Sequence, residues 1–463
     1  MSTEPVESTE PVKRAGERKS FGPVTFVVVA LCWLAAISEG YDAAIFGVSV
    51  PSLLKDPAWG LTPKSVGLVG SLGVIGMAVG AIGSGALTDI LGRRKMLIGC
   101  VAVFSIFTGL SAFAPSVELF SLLRLVAGVG LGGVIPTAAA LAGEYAPTRV
   151  RNRVLMLVFM GYPFGGLLGA QIGKSLVVEW GWRPLYAAAF LPFVIIVPLA
   201  LQYLPESIAF LQSKGRHHEA ERIATRWGVD LSEIERHDVA TSHSAPADSS
   251  KLAAFRTMFS RRYVFITVCF GATCFVALFS NWSIATWLPQ LMRQAGYDLA
   301  AALSFSVWQH VGAIIGTLVL AVLADKMGSK PVICAAFLTA AACIALLAVH
   351  LPSGAHYLIV ALSGAAGTSI PGLLIAYASR LYPVDVSATA IGWSMGMGRV
   401  GGITAPIVLG LVVAGTAPGS PWTLLVIAIP GLIGAAVILF MPPKPSAIKT
   451  QLAKTPQSEP DRV

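Results

Sequence analysis

GALTDILGRRK (residues 85–95) and LADKMGSKP (residues 323–331) resemble one another, and their acids, Asp89 and Asp325, stand 236 positions apart. Two further pairs share that offset. GEYAPTRVR and SRLYPVDVS align Pro147 with Pro383, and YPFGGLLG and GRVGGITAP align Gly165 and Gly166 with Gly401 and Gly402. Three anchors at one offset indicate an internal duplication. Each anchor lies in or beside a long apolar run, and the chain is 55% hydrophobic and 12% charged, with a mean hydropathy of +0.72. That composition excludes an ordinary soluble globular protein. A bilayer core of about 30 Å needs roughly 20 apolar residues per helical span. Twelve such runs are expected, near 24–48, 66–88, 96–114, 119–142, 154–176, 185–203, 263–284, 303–324, 332–350, 357–379, 387–413 and 422–441.

The duplication therefore predicts an all-α polytopic membrane protein of two pseudo-symmetric six-helix bundles, residues 23–204 and 263–441. A polar insert, 205–262, joins them and contains SHSAPADSSK and the helix-like GRHHEAERIATRW. Polar tails, 1–22 and 442–463, flank the bundles; the first has no apolar core before a cleavage site, so the first span is expected to be retained. An even number of spans puts both termini on one side. With that side cytoplasmic, 26 of the 33 basic residues lie in inside segments and five lie in outside loops. The asymmetry predicts cytoplasmic termini, and the cell (inner) membrane is the expected location. It also accounts for the net charge of +9 without nucleic acid. The six cysteines lie in apolar runs without a CxxC repeat and read as small core residues, and no metal site is expected.

Charge inside the spans locates the chemistry. Glu39 and Asp42 sit in SEGYDAAIFG in the first span. An acid at a helix centre costs about 2.5–3.5 kcal/mol, and each Leu, Ile, Phe or Val returns only about 0.3–0.6. Three residues apart, the two share a helix face and are expected to point at a cavity or a basic partner. Arg124 in the fourth span and Arg399 in the eleventh are the two intramembrane arginines, each able to stabilise a carboxylate or grip an anion bidentately. At the 236 offset these four charges map onto Phe275, Leu278, Val360 and Pro163, so they are not duplicated. The glycines of GVGLGG and those at 73, 76, 80 and 83 read as helix-packing positions rather than a nucleotide loop.

GALTDILGRRK, RLVAGVGLGG (124–133) and the six-plus-six layout resemble the major facilitator superfamily. EGYD, LPESIAFLQSKGR and SMGMGRVGG resemble its aromatic acid:proton symporter family, over nearly the whole chain apart from the tails and much of the insert. The family pattern has Asp at Glu39, a basic residue at Ile90 and often Arg at Ser387. The resemblance implies a proton-coupled carrier importing a small aromatic carboxylate, such as benzoate, hydroxybenzoate, protocatechuate or gentisate, by alternating access. It would act as a monomer in the lipid bilayer, with the proton as coupling ion and no other cofactor. Proton coupling falls to Glu39, Asp42 and Arg124. Substrate binding falls to Arg399, with Asn281, Trp308, Gln309, His310, Tyr377 and Trp393 as polar or aromatic lining, and Trp282 and Trp287 nearby. His310 is expected to be the one histidine within a span. Gating falls to Asp89, Arg93, Arg94, Glu144, Asp325, Lys326 and Arg380. Rival readings are a carrier of another organic acid or sugar, a drug efflux pump, or a membrane sensor. No HExxH, paired intramembrane histidines or Ser/His/Asp grouping points to an enzyme.

Overall fold

A computed structural model describes residues 22–147, 149–227, 255–349, 351–382 and 384–441. Among these, twelve helices are long and apolar enough to cross a membrane, one for each expected run, and there is no strand. Spans one to six are Pro23–Leu53, Pro63–Leu91, Arg93–Ser111, Val117–Tyr145, Arg151–Trp180 and Arg183–Tyr203. Spans seven to twelve are Val264–Gln294, Leu299–Met327, Ser329–Leu346, Ser353–Leu381, Val384–Gly415 and Pro421–Phe440. Several helices outrun the apolar runs that announce them. Span seven continues ten residues past the expected end because Trp287, Leu288, Leu291 and Met292 are buried against protein rather than lipid. In the insert, His217–Trp227 is a helix as expected; SHSAPADSSK, both tails as far as residues 1–21 and 442–463, and the Pro383 anchor lie outside the described residues.

The duplication is visible residue by residue. Spans two and eight, and spans four and ten, begin and end 236 positions apart. Span two is capped by the Thr62 side chain, which accepts from the Ser65 N–H, and span eight by Asp298, which accepts from the Ala301 N–H at 2.7 Å. Both helices end at a glycine in the left-handed region, Gly92 (φ +92°) and Gly328 (φ +91°). Only glycine takes that turn cheaply, which explains its place in both quoted stretches. A Cβ on Gly76 would lie 2.1 Å from the Leu125 carbonyl oxygen, and one on Gly312 would lie 1.8 Å from that of Ala361. Gly80 against Val129 and Gly316 against Ala365 repeat the contact one turn along. Bare backbone is what lets these helices touch, since lipid supplies no hydrophobic drive between them.

Three apolar clusters divide the core. One, on the face away from the termini, is shared by both halves: Ile45, Phe46, Val66 and Val69 pack in the same cluster as Trp287, Leu288, Ala405 and Leu409. The other two lie toward the terminal face. One is built from the first half, with Trp282 leaning on it, and the other from the second half. Contacts across the halves follow suit. Gly47 meets the Ala285 carbonyl, Gly67 meets Pro406, and Ser71 Oγ donates to the Ile403 carbonyl at 2.7 Å. Toward the terminal face, Gly83, Gly85, Gly372, Gly392 and Gly396 have nothing within 4 Å of an added Cβ. The contacts between the halves therefore gather on the far face.

Candidate functional site

Asp42 is completely buried and held from two other spans. Arg124 approaches it bidentately, Nη1 donating to Oδ1 at 2.8 Å and Nη2 to Oδ2 at 3.0 Å. Thr108 Oγ1 donates to Oδ1 at 2.5 Å and accepts from Arg124 Nη1 at 3.2 Å. The guanidinium also lies 5.7 Å from the centre of the Tyr186 ring, whose hydroxyl is 3.1 Å from Ser49 Oγ. Removing two opposite charges from water costs several kcal/mol per ion, and bidentate geometry with further hydrogen bonds is what makes burial tolerable. Both members line a cavity of about 20 Å³ between the halves, with Phe46, Met77 and Trp282 on its walls. In this state it has room for about one water molecule.

Glu39, one helical turn away, is 5% exposed and has a buried Oε2 without a hydrogen-bond partner. It interacts electrostatically with Arg399 of the second half without forming a direct ion pair. The Tyr162 phenol lies within electrostatic reach of both. The four unduplicated charges thus form two sets: a closed pair within the first half, Asp42 and Arg124, and a looser one across the halves, Glu39 and Arg399. His310 reaches the same seam. Its Nδ1 is 2.8 Å from the Ser306 carbonyl, and its ring fills the space a side chain at Gly166 would need. Asn281 is half-buried, and Gln309 is buried with an unpartnered Oε1.

Three expected lining residues lie elsewhere. Trp308 is 45% exposed and borders a groove on the far side of spans five and eight, because its position on span eight turns it out of the bundle. The Tyr377 ring lies tilted against Phe270, and Trp393 packs on Phe259 and Gly271, both in the terminal-face cluster of the second half. Nor is His310 the one histidine within a span. His356, in the first turn of span ten, is buried between Tyr297 Oη (2.6 Å) and the Val349 carbonyl (3.0 Å).

Among the gating candidates, Arg93 pairs with Glu144 at 2.5 Å, and Glu144 also accepts from Ser207 Oγ (2.7 Å) and the Ala209 N–H (3.0 Å). Arg94 donates its backbone N–H to Glu206 at 2.9 Å and its guanidinium to the Leu201 carbonyl. These bonds tie the turn after span two to the segment after span six. Asp89, Asp325, Lys326 and Arg380 are exposed and enter no ion pair among the described residues, so Arg380 does not join the Glu144 network. Sequence reasoning missed Thr108, Ser49, Tyr186 and Glu206. A signal existed for two of them: at the 236 offset Thr108 and Ser49 map onto Ile344 and Ala285, the same loss of polarity that marks the four charges.

Residues 32–406, and again 309–460, match the family model of the Major Facilitator Superfamily. The chain is 33% identical over 424 residues to the benzoate transport protein of Acinetobacter baylyi, covering 90% of each. It is 32% identical to the gentisate transporter of Corynebacterium glutamicum, over 83% of this chain and 81% of that one. It is 31% identical to the gallate transporter of Pseudomonas putida, over 95% and 96%. The inward open conformation of the xylose transporter XylE from E. coli shares the fold, with a TM-score of 0.73 at 17% identity over 92% of this chain and 99% of that one. With twelve spans in two duplicated halves and charges buried at the seam between them, the chain belongs to the Major Facilitator Superfamily and is a membrane transporter, not an enzyme.

Proposed function

We propose that the protein imports a small aromatic carboxylate together with a proton, by alternating access across the cell (inner) membrane, with both termini cytoplasmic. The observation that carries this reading is the buried set of two acids and two arginines at the seam. Glu39, Asp42, Arg124 and Arg399 sum to zero when all are ionised, and a substrate carboxylate adds an uncompensated negative charge in a site with almost no water. A proton taken up with it restores neutrality, and burial of the site makes that balance compulsory. Arg399 is the guanidinium without a bidentate partner, so it is assigned to the substrate. Protonation of Glu39 removes the competing carboxylate, and Arg124 holds Asp42 as the second proton-responsive acid. Contacts between the halves gather on the face opposed to the termini, so that face is closed in this state. The aromatic character of the substrate is supported by the named substrates of the relatives.

The test is uptake of labelled benzoate, 4-hydroxybenzoate, gentisate and gallate into cells, with and without a protonophore, for wild type and Asp42→Asn. Uptake in wild type should collapse with the protonophore and with the substitution. Uptake indifferent to both would refute proton coupling through this site, and no uptake of any of these acids by well-expressed protein would refute the substrate class.

A further inference from the structure

The groove that Trp308 borders is a cavity of about 210 Å³, ten times the size of the central one in this state. Its lining comes from both halves: Gln171 and Lys174 on span five, Ser304, Val307 and Trp308 on span eight, and Tyr357 on span ten. Gln171 and Lys174 are three apart, and Ser304 and Trp308 four apart, so each pair presents one helix face to the groove. Lys174 lies about 9 Å below the far end of span five and forms no ion pair among the described residues. Its ammonium has three donors and no acceptor. The Trp308 and Tyr357 rings stand 6.3 Å apart at 33°, a tilted aromatic wall.

We propose that this groove is a second binding site, for a small aromatic carboxylate arriving at the far face. One side offers the Lys174 ammonium beside the Gln171 amide, which match a carboxylate; the Ser304 hydroxyl is already donated to the Ala300 carbonyl at 2.8 Å. The other offers ring faces, which match an aromatic body. The volume lies below the roughly 300 Å³ at which drug-sized ligand pockets begin, so it suits a single ring. A bound acid would bridge Lys174 of the first half to Trp308 of the second, on the face where the halves are sealed. It therefore favours that sealed state and slows its own transport at high external concentration. The ligand class follows from this groove's lining and does not depend on the reading of the central site.

The experiment is a ¹⁹F NMR titration of 4-fluorobenzoate with the full-length protein in neutral phosphatidylcholine nanodiscs. A binding component is expected that persists in Arg399→Gln but weakens about tenfold or more in Lys174→Gln and is lost in Trp308→Leu. Melting temperature reports whether each variant is folded, and the Arg399-dependent component serves as internal control. In cells, Lys174→Gln should relieve the decline of uptake at high substrate. The absence of any component sensitive to both groove substitutions overturns the proposal, whatever happens at the central site. So does a component that phosphatidylglycerol abolishes and excess fluorobenzoate cannot restore, because the groove then holds a lipid headgroup.

Discussion

Removing both members of the Asp42–Arg124 pair should cost less than the sum of removing each alone. Asp42 has no exposure, Arg124 is 5% exposed, and the carboxylate accepts from Nη1, Nη2 and Thr108 Oγ1 at 2.8, 3.0 and 2.5 Å. Asp42→Asn turns one acceptor oxygen into an NH₂ donor facing the guanidinium. At least one charged hydrogen bond is lost, worth about 1.5–3 kcal/mol, and a buried cation is left uncompensated. The expected total is about 3–5 kcal/mol. Arg124→Gln strands the carboxylate in the same way, with Thr108 alone still donating to it. In Asp42→Asn/Arg124→Gln both charges are gone and two neutral amides can bond to one another. The double variant should therefore recover a coupling of roughly 1–3 kcal/mol relative to the sum of the singles. Denaturant or thermal melts of the three purified variants in one detergent measure the cycle. Single losses below about 1 kcal/mol, or a double variant additive within about 0.5 kcal/mol, would refute the buried pair as drawn.

Gly47 tests the far seal. A Cβ there would stand 1.9 Å from the Ala285 carbonyl oxygen, so ordinary contact at 3.4 Å needs spans one and seven to part by about 1.5 Å. Gly47→Val should lower disulfide cross-linking between cysteines placed on those spans near the far face, and undiminished cross-linking would contradict the contact. Asp56, in the loop after span one, tests pH dependence. Although burial opposes ionisation, hydrogen bonds from Trp182 Nε1 (3.2 Å) and the Ala58 N–H (3.1 Å), with Arg183 nearby, hold its carboxyl below the usual range. With the folded value depressed, its stabilisation is complete above the unfolded value of about 3.9 and is lost as pH falls through the folded one. Asp56→Asn should melt below wild type at pH 7, with the gap closing in acid; a gap that widens in acid would reverse the sign.

Sequence alone determined the number of spans, their order and the duplication. Those features are encoded locally, in hydropathy, in the glycines of the turns and in bare backbone at packing positions. Gly76 and Gly312, or Gly92 and Gly328, had to recur at one offset because each half closes by the same contacts. Sequence also marked the four costly charges, since an acid or arginine inside a span needs a partner. What it left open was which partner. Asp42 and Arg124 are 82 positions apart, and only the rotation and depth of spans one, three and four bring them together with Thr108. The same rotations turn Trp308 out to the groove and place Tyr377 and Trp393 in the core of the second half. Which face the halves close was likewise decided by tertiary structure, because contacts such as Gly47 with Ala285 and Ser71 with Ile403 join spans from opposite halves that no local pattern pairs.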